Sequence, residues 1–263
     1  MYKELEKEYN RVLGEYKKLI SLKMDKSDLA LRNEVLISAH SCGIEGNSYS
    51  VSDSFALKEL ELGYIPKSKS LFETMEMLDH FHAYEYIVNT KDEPLSEDYI
   101  KHVHFLLTEH TIKYKYPDTN PGEYTNLDMA AGETIFGDHE ELIKRVPLLL
   151  EKTNKSIKDA NLPIMFISAI FHGYFIYLHP FRDGNGRLGR LLSNKILLQA
   201  DLPPLIIKKD DKSNYLNTMN KFKSPEGSDL IVSYFYRTSI KQMSQEILEK
   251  VNLTKKNNFI KLG

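Results

Sequence analysis

The sequence predicts a mainly α-helical protein with one short β-hairpin. Apolar residues recur at three- and four-residue spacing along most of the chain, as in segment 3–20, which is the period of an amphipathic helix. Residues that start and stop helices bracket these segments, for example Ser27 and Asp28 before one and Gly46 after it. The longest irregular stretch, 116–137, is rich in proline and glycine. A helical bundle with one long loop accounts for these three observations.

Each predicted helix carries its own local signals. The first, 3–20, presents an apolar face that includes Tyr9 and Val12. The second begins after the N-cap residues Ser27 and Asp28 and ends at Gly46. Further helices are predicted over 52–62, 69–89, 96–110, 139–159, 163–178, 186–200, 212–222 and 228–251.

The stretch 116–137 is predicted to be a loop followed by a short β-hairpin. The hairpin is expected at Glu133–Phe136, which lies between two glycines. A loop of this length in a compact domain usually serves a function.

Composition excludes several classes of function. The 35 basic and 37 acidic side chains give a net charge of −2, which argues against a nucleic-acid partner. Residues 160–181 contain no Asp, Glu, Lys or Arg, but they include Pro163 and polar side chains, so we expect a buried helix and no membrane span. The single cysteine, Cys42, cannot form an internal disulfide, and the N-terminus lacks an apolar signal segment. Together these features predict a cytoplasmic protein.

The strongest chemical signal is a run at the junction of two predicted helices, His179-Pro180-Phe181-Arg182-Asp183-Gly184-Asn185-Gly186-Arg187-Leu188-Gly189-Arg190. Glycines at a helix N-terminus let backbone N–H groups point into one concavity, which suits an anion. Arg187 and Arg190 lie on one face of the first helical turn and suit a polyphosphate. Asp183 offers a hard oxygen to Mg²⁺, and His179 could accept a proton from a hydroxyl. These residues indicate a nucleotide or phosphate site, the alternative being a capped turn with surface ion pairs.

This run resembles the Fic motif, His-x-Phe-x-(Asp/Glu)-Gly-Asn-Gly-Arg-x-x-Arg, at every specified position, and the similarity covers roughly residues 70–250. The resemblance implies a Fic-type helical bundle and a protein adenylyltransferase (AMPylator). Such a nucleotidyltransferase moves AMP from ATP to a Ser, Thr or Tyr hydroxyl of a target protein. It also implies that His179 is the general base and that Asp183 holds Mg²⁺. The nucleotide would be bound by Gly184, Asn185, Gly186, Arg187, Arg190 and Tyr215, with Arg187 on the β-phosphate region, Arg190 on the γ-phosphate and Tyr215 on the adenine.

A second resemblance lies upstream, in Ser41-Cys42-Gly43-Ile44-Glu45-Gly46. This segment is similar to the family's inhibitory motif, (Ser/Thr)-x-x-x-Glu-(Gly/Asn). The resemblance implies that Glu45 forms a salt bridge with Arg190 and keeps the γ-phosphate out of its productive position. We therefore expect an N-terminal helical subdomain, 1–65, that carries the inhibitory motif, and a Fic catalytic core with C-terminal helices, 66–263.

The predicted hairpin resembles the family's flap, in which Thr134, Ile135 and Phe136 would dock the target as an added strand. The expected partners are ATP and a protein substrate, with no nucleic acid and no membrane, and a homo-oligomer is left open. Three alternatives also remain open. The site could belong to a de-AMPylating phosphodiesterase, to a transferase that uses another nucleotide donor, or to a non-catalytic nucleotide-sensing module.

Overall fold

The computed structural model describes residues 2–23, 25–63, 65–131, 134–135, 139–223 and 227–260. This part of the chain is mainly α-helical, which confirms the predicted fold class. The helices are α1 (Tyr2–Lys23), α2 (Lys26–Ile44), α3 (Val51–Leu60), α4 (Leu71–Asn89), α5 (Glu97–Thr108), α6 (Ile112–Lys115), α7 (Leu142–Asp159), α8 (Ile164–Leu178), α9 (Asn185–Gln199), α10 (Lys212–Asn220) and α11 (Gly227–Ile260). Two strands of two residues each, β1 (Ala130–Ala131) and β2 (Thr134–Ile135), pair antiparallel, with Ala130 opposite Ile135.

Helix α8 lies at the centre of the bundle. Its side chains Ile167, Phe171 and Phe175 pack into a core shared with α4, α5, α7 and α9. Met165 and Ala169 pack into a second cluster with α1, α10 and α11. A helix buried on two sides must be apolar nearly all round, and this explains its uncharged sequence. No helix in the described part of the chain is long and apolar enough to cross a membrane.

Gly189 allows α8 and α9 to pack closely. A Cβ atom at this position would lie 2.8 Å from Ile176 Cδ1 and 3.3 Å from Phe175 Cδ1, so a larger residue would push the helices apart. The two helices are joined by the short turn 179–184, which therefore has a firmly packed helix on each side.

The C-terminal end of α2 is held against the core of the bundle. The helix contacts α4 and α9, and its side chains Val35 and Cys42 are fully buried in a third apolar cluster with α3 and α4. The helix ends at Ile44, and Gly46 follows with φ +109°, a conformation that favours glycine. This packing brings Glu45, which caps the helix, close to the start of α9.

The last helix differs from its predicted bounds. Helix α11 continues to Ile260, whereas the prediction ended it at residue 251. Residues 252–260 contain no proline or glycine, so no local signal ends the helix there. The single-turn helix α6 was also not predicted.

Three fully buried histidines predict that acid destabilises the fold. Burial lowers the pKa of His80 and His172 to about 3 and that of His104 to about 4, so the folded protein keeps all three neutral. In the unfolded chain each histidine takes up a proton near pH 6.5. The free energy of unfolding is therefore highest above that pH and falls below it, by up to about 1.4 kcal/mol per histidine and per pH unit. Urea unfolding at about pH 7.5 and about pH 5.5 measures the loss. His80→Gln should reduce this pH dependence, and the exposed His82→Gln should not; equal slopes in both variants would contradict the prediction.

Candidate functional site

The turn between α8 and α9 is shaped by two backbone conformations and one side chain. His179 ends α8 in the left-handed region (φ 50°, ψ 56°), and Gly184 precedes α9 with φ +79°. The Asn185 side chain closes the turn, because its Nδ2 donates to Phe181 O at 2.6 Å and its Oδ1 accepts from Phe181 N at 3.0 Å. The first N–H groups of α9 therefore face the site on a rigid base. The Asn185 side chain itself is used to hold this turn.

The His179 ring is neutral at physiological pH. Burial lowers its pKa to about 4, and this effect outweighs the nearby charges of Glu45 and Asp183. Its Nδ1 lies 3.3 Å from Ile176 O, and a carbonyl oxygen can only accept. We therefore assign the ring hydrogen to Nδ1, which leaves the lone pair on Nε2. A neutral imidazole is the form that can take a proton from a hydroxyl.

Asp183 is an ionised carboxylate at the edge of the site. Burial raises the pKa of this group, but the charges of Arg187 and Lys115 outweigh burial and hold the pKa below its usual value. Oδ1 accepts from Gly184 N at 2.7 Å, and Oδ2 lies 3.1 Å from Lys115 Nζ. The Lys115 side chain is 42% exposed, so this cation could leave the carboxylate at little cost.

Arg187 is buried beside a second carboxylate. Its Nη1 lies 2.6 Å from Glu76 Oε1, and the exposed fractions of the two side chains are 2% and 5%. The other Glu76 oxygen accepts from Asn47 Nδ2 at 2.8 Å. Arg187 Nη1 is close to the Glu76 carboxylate but is not aligned for a hydrogen bond with it. Arg187 Nε has no hydrogen-bond partner among the described residues. Buried donors of this kind are costly unless a further acceptor reaches them.

Arg190 is held mainly by the end of α2. Its Nη2 donates to Glu45 Oε1 at 2.7 Å, which is the salt bridge implied by the sequence resemblance. Its Nε donates to Ser41 Oγ at 3.0 Å and its Nη2 to Ser41 O at 2.9 Å. The Glu45 carboxylate also lies against the α9 N-terminus, since a Cβ atom on Gly186 would overlap Glu45 Oε1. Glu45 thus contacts both the second arginine and the glycine of the anion cradle.

Tyr215 and the predicted flap are the two predicted parts of the site that do not belong to the turn between α8 and α9. Tyr215 is only 2% exposed and lies behind Arg190, whose guanidinium is 5.7 Å from the tyrosine ring centre. Its adenine contact stays a prediction, and the ring has little free surface in this arrangement. Thr134 and Ile135 form β2, while Phe136 lies outside the described residues.

Several residues of the site were missed in the sequence. The His104 ring stacks on Phe181 with centroids 3.8 Å apart, its Nδ1 accepts from Gly122 N at 2.9 Å, and its Nε2 donates to Asp183 O at 3.0 Å. His104 therefore fixes both the turn and the long loop. His104, Glu76 and Lys115 lie far from the motif in sequence, and no local pattern marks them.

The motif turn lies within a part of the chain that matches a known family. Residues 94–197 match the model of the Fic/DOC family. A protein adenylyltransferase Fic from Nematostella vectensis is 31% identical over 185 residues, which cover 69% of this chain and 42% of that protein. The chain thus spans less than half the length of this curated relative.

Two solved structures share the fold. A Fic domain-containing signalling protein from Bacteroides thetaiotaomicron has a TM-score of 0.78 and 24% identity, with 93% of this chain and 98% of that chain covered. A fragment of Fic-1 from C. elegans has a TM-score of 0.72 and 20% identity, with 93% and 71% covered. The sequence match over 94–197 and the curated relative lead to one conclusion: this chain carries a Fic/DOC family domain.

Proposed function

We propose that this chain is a protein adenylyltransferase that moves AMP from ATP to a Ser, Thr or Tyr hydroxyl of a target protein. One observation carries the proposal: a neutral imidazole, an anion cradle at a helix N-terminus and two arginines converge on one turn. The name of the Nematostella vectensis relative supports ATP as donor and a protein as acceptor. The arginines and the cradle bind phosphates and do not read the base, so the choice of donor rests on that relative.

The chemistry follows from this arrangement. The target hydroxyl oxygen would attack the α-phosphorus of ATP, the bond from that phosphorus to the α–β bridging oxygen would break, and pyrophosphate would leave. His179 Nε2 would take the hydroxyl proton. Backbone N–H groups of Asn185 and Gly186 would bind phosphate oxygens at the start of α9, and so would that of Gly184 once Asp183 Oδ1 releases it. Such a displacement needs positioning and charge neutralisation more than covalent help from the protein.

The two arginines would bind the distal phosphates. In our proposal Arg187 contacts the β-phosphate region, where a phosphate oxygen could satisfy its buried donors. Arg190 binds the γ-phosphate once Glu45 has left. Both guanidinium groups are already in place on one face of α9, so little side-chain ordering is required.

Asp183 fits a role as a Mg²⁺ ligand. It is ionised and partly exposed at the rim of the site. The described residues contain no cluster of three or more metal-binding side chains, and a single carboxylate with phosphate oxygens and waters is a usual Mg²⁺ environment. When bound, the ion would neutralise charge on the phosphates. Lys115 now balances the Asp183 charge and would have to release the carboxylate.

We further propose that Glu45 inhibits the enzyme. The cavity lined by Glu45, His179 and the motif turn has a volume of about 110 Å³, whereas ligand pockets usually measure roughly 300–1,000 Å³. A carboxylate on Arg190 and against Gly186 takes the place that phosphate oxygens would need. In this scheme residues 1–65 form the regulatory subdomain and 66–263 the catalytic core.

The target would dock at Thr134 and Ile135 of β2 and at Phe136, which follows them in the sequence. Backbone pairing with an extended target segment would set its register and bring the hydroxyl to His179. No nucleic-acid or membrane partner is proposed, and a cytoplasmic location and a homo-oligomer stay predictions.

The test of the proposed function is transfer of label from α-labelled ATP with Mg²⁺ to protein in a cell lysate. We expect weak labelling by the wild type and strong labelling when Glu45 is replaced by glycine. Label from γ-labelled ATP should not rise above that of lysate without the protein, because the distal phosphates leave as pyrophosphate. A rise in γ-labelling on adding the Glu45→Gly protein, or equal absence of added α-label in every variant, would refute the proposal.

Replacing Asp183 with asparagine should remove most of the Mg²⁺ dependence of ATP binding. The amide keeps the shape but loses the negative charge that a hard cation requires, so the gain in ATP affinity on adding Mg²⁺ should fall about tenfold or more. Titration calorimetry of the Glu45→Gly protein with and without Mg²⁺ measures this gain. Asp118→Asn, at an exposed loop carboxylate, is the matched control and should leave the gain unchanged. An unchanged gain in Asp183→Asn would assign the ion to other groups.

A further inference from the structure

The guanidinium of Arg190 has one described polar contact that does not come from α2. Glu45 and Ser41, which accept its hydrogen bonds, both belong to the end of that helix. The remaining contact is with Tyr215 on α10, whose hydroxyl oxygen lies 3.5 Å from Arg190 Nη1. Ser41 and Glu45 bind Nε and Nη2, so Tyr215 is the described polar partner of Nη1, and it stays in place whether Glu45 moves away or is replaced.

The hydroxyl of Tyr215 is oriented by two further buried side chains. Ser193 Oγ donates its single hydrogen to Gly189 O at 2.6 Å, so it must accept at its other contact, His172 Nδ1, at 3.0 Å. His172 therefore carries its hydrogen on Nδ1, and its Nε2 is an acceptor. Nε2 lies 2.9 Å from Tyr215 Oη, so the tyrosine hydroxyl must donate to it.

This chain of donors and acceptors has one consistent direction. Because the Tyr215 hydrogen is used on His172, the lone pairs of the hydroxyl oxygen remain for Arg190. His172 is fully buried and Ser193 and Tyr215 are 3% and 2% exposed, so water does not compete for these bonds. Burial also keeps His172 neutral at physiological pH, which preserves the direction.

We propose that Tyr215, His172 and Ser193 form a positioning relay that holds the Arg190 guanidinium in place for the γ-phosphate end of the nucleotide after Glu45 withdraws. The inference rests on the proposed function, in which Arg190 binds the γ-phosphate. It assigns Tyr215 a role through its hydroxyl group. His172 and Ser193 act on the nucleotide only through Tyr215 and Arg190.

The relay predicts that its disruption lowers the affinity for ATP, which has a γ-phosphate, and leaves the affinity for ADP unchanged. In the Glu45→Gly protein, Tyr215→Phe should weaken ATP binding about fivefold to tenfold, because one hydrogen bond to a charged group is lost. ADP lacks the γ-phosphate, so its affinity should not change. His172→Leu should reproduce the effect, and His172→Gln should retain part of the ATP affinity, since its carbonyl oxygen can accept from the tyrosine. Calorimetric titrations with ATP and ADP measure both affinities.

A matched control lies in the same apolar cluster. Tyr234 is a buried tyrosine whose hydroxyl donates to Asp211 Oδ2 at 2.7 Å, and Tyr234→Phe should change neither affinity. Nitrogen-15 NMR of His172 gives a second readout and should show a hydrogen on Nδ1 only.

The possible results separate the relay from the proposed function. Equal weakening of ATP and ADP in Tyr215→Phe, or no weakening, would overturn the relay, and so would a hydrogen on His172 Nε2. A selective loss of ATP affinity in a protein that labels no target would support the relay and refute the adenylyltransferase. No binding of either nucleotide by the Glu45→Gly protein would refute both.

Discussion

Replacing Glu45 with glycine is expected to raise the rate of AMP transfer by about 10- to 100-fold, because a hydrogen bond to a charged group contributes about 1.5–3 kcal/mol and each 1.4 kcal/mol is about tenfold in rate. The substitution removes the 2.7 Å contact with Arg190 and clears the carboxylate from Gly186. Both changes open the place that the distal phosphates require. Initial rates of labelling from α-labelled ATP, with the wild type in parallel, measure the increase.

Glu45→Gln is the control for charge. The glutamine keeps the volume of the side chain but binds Arg190 as a neutral group, so its rate should lie between those of the wild type and Glu45→Gly. A lower rate in Glu45→Gly would contradict inhibition. If that variant also lost the ability to remove AMP from a modified protein, the de-AMPylating alternative would be favoured, with Glu45 aligning a water molecule.

Replacing His179 with alanine in the Glu45→Gly protein is expected to lower AMP transfer by about 10²- to 10⁴-fold. The change removes the group that we propose to accept the hydroxyl proton, while the residues proposed to bind phosphate stay in place. Because burial lowers the pKa of His179 to about 4, the ring is already in its proton-accepting form at pH 7. The dissociation constant for ATP should stay within about twofold, since the imidazole is not needed to bind the ground state.

An exposed histidine supplies the matched control for this variant. His102→Ala should leave both labelling and ATP affinity unchanged. Equal labelling with and without His179 would exclude it as the base. ATP binding without turnover in any variant, including Glu45→Gly, would favour the non-catalytic nucleotide-sensing module.

The Glu45→Gly and His179→Ala variants would probe opposite ends of one small site. Glu45 and Arg190 are 145 positions apart in the chain, whereas His179 and Arg190 belong to one short run. The proposed inhibitory residue and the proposed base therefore come from different helices, α2 and the end of α8. A signal that shifts α2 could raise activity without moving the base.

Local sequence was sufficient to predict most of the helices and the place of the motif turn between two of them. Residues three or four apart always share a helix face, and a turn of six residues keeps its ends together whatever the rest of the chain does. The apolar period, the glycine stop at Gly46 and the run from His179 to Arg190 could therefore be interpreted without a structure. The predicted start of α2 was wrong, because Asp25 is the N-cap and Ser27 and Asp28 lie in the first turn of the helix. The interpretation of Glu45 needed the resemblance to a family motif, because an isolated glutamate at a helix end carries no signal of its partner.

Tertiary packing decided which side chains meet around that turn. Glu76 reaches Arg187 because α4 packs on α9, and His104 supports Phe181 because α5 lies beside the turn. The direction of the Tyr215 hydroxyl and the low pKa of His179 depend on burial and on partners from distant segments. The sequence by itself determined the helices, the motif turn and the types of residue in the site. The tertiary structure alone decided their partners and protonation, because contacts between distant segments depend on how the helices pack.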